Sequence, residues 1–401
     1  MFANPGDLQD TSYSCHNDCL TMKRLTQVQL LRIFPCAFVV ALCAVTTVGA
    51  SVNWPSGRGG QGLDGVATGK LSDKLELKWT FKTGDVVKGA PVIQDDTVFV
   101  GSYNSNFYAI NLQDGSKKWA FTASDAIESS GLYLDGSVYF GTLDGNAYSL
   151  EAKTGAENWK FTTQDKIVGG PNWMSAPDHK SKSILVGSHD FFLYSLDAGT
   201  GKTNWAYETS NYINGSPAVS DGKTVFGGCD ALLHVVSLEK GEKVNEIDAG
   251  AYIMGSVALE KNLAFFGHYD NEVWCVDIDK GEKVWSYRDR NFPYFSSPAI
   301  GADRIVIGGR DKRVHCIDKK TGEPIWAFAT RGRVESSPVI VDGKVIVGSD
   351  DGRLYMIDLK DGTEIWSYEI GESIQSSPAV ADGMVIIGCD DGNVYAFGPA
   401  K

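Results

Sequence analysis

Cysteine is scarce where it would matter. Of eight cysteines, Cys15, Cys19, Cys36 and Cys43 fall in the first fifty residues, which leaves Cys229, Cys275, Cys316 and Cys389 scattered over the rest. That distribution excludes a dense disulfide framework. Cys275 and Cys316 read as free, small core residues. Histidine is as sparse. His179, His189, His234, His268 and His315 have no metal-ligand spacing, so no metal is expected. No Gly-x-Ser-x-Gly elbow occurs, which removes the commonest signature of a serine hydrolase. Gly201-Lys202-Thr203 lacks the upstream glycine of a phosphate-binding loop, because Leu196 stands at that position. The Asp-Asp-Gly triplets at 350–352 and 390–392 pass directly into strand-like residues, not into the further oxygen ligands of a calcium loop. Positive charge is also short. The net charge is −13, and an acidic surface argues against general nucleic-acid binding.

What is abundant is glycine, 45 of 401 residues, in a pattern that repeats. The stretch 376–397 reads SSPAVADGMVIIGCDDGNVYAF, and almost everything else varies on it. Two short apolar runs flank an Asp-Gly turn, a second turn follows, and then come an aromatic-ended run and an outer run, Trp-x-[Phe/Tyr]. That is four short strands with tight turns. The outer-run tryptophan recurs at Trp79, Trp119, Trp159, Trp205, Trp285, Trp326 and Trp366, with steps of 40, 40, 46, 80, 41 and 40. The long step hides a copy with Asn245 in the Trp place. A glycine stands four residues before this place in each of the seven full copies, at Gly115, Gly155, Gly201, Gly241, Gly281, Gly322 and Gly362. An aromatic or His closes the third run, at Tyr108, Tyr148, Tyr194, His234, Trp274, His315, Tyr355 and Tyr395, which makes eight copies.

A unit of this size cannot bury both of its faces alone, so copies must stack. Seven are complete, at about 86–121, 126–161, 167–207, 212–247, 252–287, 293–328 and 333–368. The eighth, 376–397, has three strands and stops. A lone outer strand at 77–82 has no inner strands of its own. Pairing the two fragments closes a ring and removes the free edges of a linear array. The expected fold is therefore all-β: an eight-bladed β-propeller of four-stranded antiparallel blades over 77–398, its ring closed by the N-terminal outer strand. Residues 51–76 should form an irregular strap pinned by Trp54. The insertion 177–182 should be an exposed hairpin tip.

The first fifty residues read as targeting. Lys23, Arg24 and Arg32 precede an apolar stretch at 33–45, and Val48-Gly49-Ala50 offers small residues for cleavage. Met22 is an alternative start. A signal anchor is the rival reading. Either implies an exported protein, periplasmic or outer-membrane-associated.

The segments CIDKKTGEPIW, 316–326, and SLDAGTGKTNW, 195–205, carry an 11-residue pattern, Ala-x-Asp-x-x-Thr-Gly-x-x-x-Trp. It resembles the tryptophan-docking motif of the PQQ-like β-propeller family, over about residues 54–397. The resemblance implies the fold and leaves function divided. One branch comprises quinoprotein dehydrogenases, which hold pyrroloquinoline quinone and calcium in the channel. Another comprises BamB-type scaffolds of outer-membrane protein assembly, which have no cofactor. The dehydrogenases resembled here commonly carry an adjacent Cys pair and extra insertions; this chain has neither. The expectation is a non-catalytic scaffold without a cofactor, bound to a protein partner and at most peripheral to the membrane, a monomer within a complex. A PQQ-dependent dehydrogenase and a ligand-binding sensor propeller are the alternatives.

Two sets of candidate residues follow from the blade order. Lys88, Glu128, Val168, Asn214, Met254, Phe295, Glu335 and Gln375 stand three residues before the proline-equivalent position of each copy and should line the channel. After residue 50 the chain has nine arginines, eight of them between 288 and 353. Each blade runs from inner to outer strand, so the second-to-third turn and the loop to the next blade emerge on one face. That face should gather Arg310, Arg313 and Arg353 from turns, and Arg288, Arg290, Arg331 and Arg333 from loops. Tyr212, Tyr252, Phe292 and Tyr294 join them from successive loops. Arg with exposed aromatics has the composition of an interface hot spot for an acidic or extended partner.

Overall fold

The structure is a computed structural model, described here for residues 53–175 and 181–400. The targeting segment and the tip of the insertion, including His179, lie outside the described residues. All regular elements described are β-strands, in eight separate antiparallel sheets of four strands each. Blades 1–7 follow chain order, with inner strands starting at Val92, Leu132, Asn172, Ala218, Ala258, Ala299 and Val339. Blade 8 takes three strands from Ala379–Ala381, Met384–Gly388 and Asn393–Pro399, and its outer strand from Leu75–Lys82. The closure pairs Leu75 with Pro399 and Lys82 with Asn393. Second strands such as Lys344–Gly348 are buried throughout, because neighbouring blades cover both of their faces.

The recurrent Trp is placed by a bulge. In every blade the outer strand slips register just before it; Trp119 pairs with Ala109, Lys117 with Ile110, and Lys118 is left over. The bulge turns the indole sideways onto the next blade. Trp285 Nε1 donates to Lys319 O at 3.0 Å, and a Cβ on Gly322 would lie 2.8 Å from the ring. Glycine is required there twice over, because its φ is +77°. The same contact recurs from Trp79 to Leu112 O and from Trp326 to Leu359 O. Asn245 keeps the hydrogen bond, Nδ2 to Ile278 O at 3.1 Å, but without the ring.

The N-terminal strap does more than lie against the body. Trp54 is buried and exchanges two backbone bonds with Ile93 of blade 1. The chain then circles under the inner strands. Pro55 O accepts from Tyr133, Gln61 O from Val219, Gly62 O from Leu259, Asp64 O from Ile300 and Gly65 O from Ile340. With Gln61 Nε2 on Trp173 O, the strap satisfies inner-strand groups of blades 1–7 in turn. It closes the end of the channel beside the first-to-second hairpins.

Candidate functional site

At the other end, loops and second-to-third turns share one face, as blade topology requires. A ring of backbone bonds ties them together: Tyr103 N to Val86 O, His189 N to Lys166 O, Tyr269 N to Tyr252 O, Arg310 N to Pro293 O and Asp350 N to Arg333 O. Inside this ring, above the strap, is a polar cavity of about 210 Å³. Lys88, Glu128, Val168, Asn214, Met254, Glu335 and Gln375 line it. Phe295, expected beside them, does not. Its ring lies under the Arg310 guanidinium at 4.0 Å and beside Tyr269 at 5.8 Å, toward the rim.

The arginines occupy the loop face, yet most have acidic neighbours. Arg288 reaches Asp270 O at 2.9 Å and Glu272 at 3.4 Å. Arg310 donates to Glu335 at 2.7 Å, Arg313 lies 3.4 Å from Asp289, and Arg353 pairs with Glu369. Arg288 and Arg353 pair within their own blades, Arg310 and Arg313 with carboxylates of the loops that join neighbouring blades, and together these contacts convert the expected basic arc into an ion-pair network. Arg290, Arg331 and Arg333 project furthest; the nearest carboxylates of Arg290 and Arg333 are 4.0 Å away.

The aromatics divide. Tyr212, Tyr252 and Phe292 are 40–49% exposed. Tyr294 is not at the surface; it is 1% exposed and packs on His315 and Tyr287. It takes the inward position that Ile127, Ile253 and Ile374 fill in other blades, and burial pushes its phenol well above the ordinary range. Two side chains missed in the sequence, Phe191 and Tyr269, extend the exposed set: Phe191 lies 5.5 Å from the Tyr212 ring and Tyr269 lies 6.2 Å from Tyr252, while the half-buried His189 stacks on Tyr212 at 4.7 Å. The result is an aromatic row over blades 3–6 that leads onto the arginines of blades 6 and 7.

Phe191 carries the clearest signal. Its φ is +79°, in the turn position that Gly145, Gly352 and Gly392 fill in three other blades and that Ser105, Ala231, Asn271 and Lys312, also at positive φ, fill in the remaining four; Phe191 is the bulkiest of the eight. A bulky residue there is strained by about 1–3 kcal/mol, and it is 38% exposed. Alignment of the eight turns would have revealed it.

Asp289, Asp311 and His315 converge within 4.8 Å. They form a structural network, because His315 is already engaged at both nitrogens, Nε2 with Asp311 at 3.1 Å and Nδ1 with the Tyr287 hydroxyl at 3.1 Å. His234 repeats this with Asp230 and Tyr207. Cys275, Cys316 and Cys389 are free and buried, and Cys229 is free and half-buried.

The family model described as outer membrane protein assembly factor BamB matches residues 189–297 and 293–401, more than half of the chain. The chain belongs to that family. A model of the glucose/ethanol/alcohol dehydrogenase β-propeller domain matches residues 122–226 of this BamB-family propeller. Among solved structures, BamB from Moraxella catarrhalis has 19% identity and a TM-score of 0.69, over 81% of this chain and 98% of that one. The quinohemoprotein alcohol dehydrogenase from Comamonas testosteroni has 13% identity and a TM-score of 0.73, over 87% and 81%. A computationally designed protein, Ika8, reaches 0.71 at 15% identity, over 81% and 100%. Likeness at these identities speaks for the fold alone. No curated protein sequence matches the chain at a significant level.

Proposed function

We propose that this BamB-family propeller is an exported, non-catalytic scaffold that docks a protein partner, a component of outer-membrane protein assembly, on its loop face. The observation that carries the reading is Phe191. A strained, exposed aromatic within a row of exposed aromatics is hard to account for by stability, and it suits contact with another molecule. Arg290, Arg331 and Arg333 continue the row with donors suited to carboxylates. Replacing these three with Glu should abolish capture of the partner by the purified protein and leave the melting temperature nearly unchanged. Phe191→Gly should raise the melting temperature while weakening capture. Capture at the parental level by both variants would refute the reading.

The channel argues against the dehydrogenase alternative. A cavity of about 210 Å³ is below the roughly 300–1,000 Å³ of sites that enclose a ligand of drug or cofactor size. No aromatic side chain lines it among the described residues. Its two carboxylates are already engaged, Glu128 by the Tyr103 hydroxyl and Glu335 by Arg310. These residues do not fit a planar tricyclic quinone with calcium. Adding pyrroloquinoline quinone and calcium should give neither dye-linked oxidation of alcohols or sugars nor a shift in melting temperature. Stoichiometric, activity-generating uptake would overturn the scaffold reading.

A further inference from the structure

We propose that the channel cavity is a binding site for a small oxyanion, a carboxylate or a phosphate, held between Arg58 of the strap and Lys88 of the loop side. Arg58 comes from the strap and lines the cavity. It is 5% exposed, so its charge is almost fully withdrawn from water. Its guanidinium donates to Pro338 O at 2.9 Å and Pro298 O at 2.8 Å, both neutral acceptors, and its Nε has no partner among the described residues. No carboxylate among the described residues pairs with it; Asp64 acts only at a distance. Burial lowers its pKa to about 10, still far above neutrality, so the cation persists. A buried cation with no carboxylate in ion-pair contact is costly unless a closer negative charge is supplied to it.

The walls supply donors. Ser130, Ser256, Ser297, Ser337 and Ser377 each accept a backbone N–H from the preceding blade at 2.9–3.0 Å. A hydroxyl whose oxygen is so engaged has its own proton left to donate. All five line the cavity. At the rim Lys88 makes no ion pair among the described residues and stands 5.3 Å over the Tyr103 ring. The two carboxylates are drawn toward the loop face, because Tyr103 and Arg310, which hold them, belong to second-to-third turns. The volume corresponds to about seven waters at their liquid volume of ~30 Å³, which suits inorganic phosphate or a four-carbon diacid.

The test is titration of the whole protein with sodium succinate, sodium phosphate and sodium chloride at matched ionic strength. Calorimetry should show one saturable site for succinate or phosphate and none for chloride; the tighter of the two identifies carboxylate or phosphate chemistry. At ten times Kd the melting temperature should rise by about 2 °C. Lys88 lies in a loop outside the strap and the strands, and Lys88→Met should weaken binding about tenfold by removing one charge-assisted bond. Arg58→Met should abolish it. No heat and no shift beyond chloride would overturn the proposal, as would equal binding by parent and Lys88→Met.

Discussion

Removing residues 53–82 should leave a protein that aggregates or melts far below the parent. The deletion takes away the strand Leu75–Lys82 and with it the whole outer edge of blade 8. The strand Asn393–Pro399 would then present unpaired backbone groups to solvent, the arrangement that templates edge-to-edge association. It also removes Trp54, Leu63, Leu75 and Trp79, all buried. At about 1.5–3 kcal/mol for each large apolar side chain, the loss is on the order of 10 kcal/mol, comparable with the total stability of a domain. The inner strands would further lose the strap carbonyls that accept from Tyr133, Val219, Leu259, Ile300 and Ile340. Supplying residues 53–82 as a separate peptide should restore part of the melting temperature, since the pairing needs no covalent link. A truncated protein that melts within a few degrees of the parent would show that closure contributes little.

The closure was legible because the sequence contains two complementary fragments: an outer strand without a blade and a blade without an outer strand. The blade count was legible for a similar reason, since Trp and Gly recur at a fixed offset whatever lies between them. The path of the strap was not. Its contacts use the carbonyls of Pro55, Gln61, Gly62, Asp64 and Gly65, and any residue supplies a carbonyl. The misplacement of Tyr294 has another origin. An aromatic in a loop suggests exposure, but its register against Ile127 and Ile374 places it inward, and register outweighs residue type. Asp289, close to the arginines in sequence, was legible as a partial neutraliser, but the Arg310–Glu335 pair was not, because the two lie 25 residues apart and only the stacking of neighbouring blades brings them together.

The other large effect concerns the contacts between blades. Trp285→Ala should cost about 3–5 kcal/mol, as removal of a buried aromatic does when the site cannot collapse. Collapse is prevented here by the backbone of the turn that carries Gly322, which is fixed by Gly322 N to Asp318 O at 2.9 Å. The expected fall in melting temperature is on the order of 5–10 °C. Asn245→Ala should cost only about 1 kcal/mol, the net worth of one hydrogen bond, because the bond to Ile278 O is all that this contact has. The dock itself survives in the Asn245 copy, since Gly281 keeps a φ of +70°. Asn245→Trp should therefore raise the melting temperature by refilling a place already shaped for an indole. In the parent, amide exchange should be fastest around residues 212–260, where blade 4 meets blade 5 without its ring. Equal costs for Trp285→Ala and Asn245→Ala, with residues 212–260 among the best protected, would mean that the tryptophans mark the repeat without holding it together.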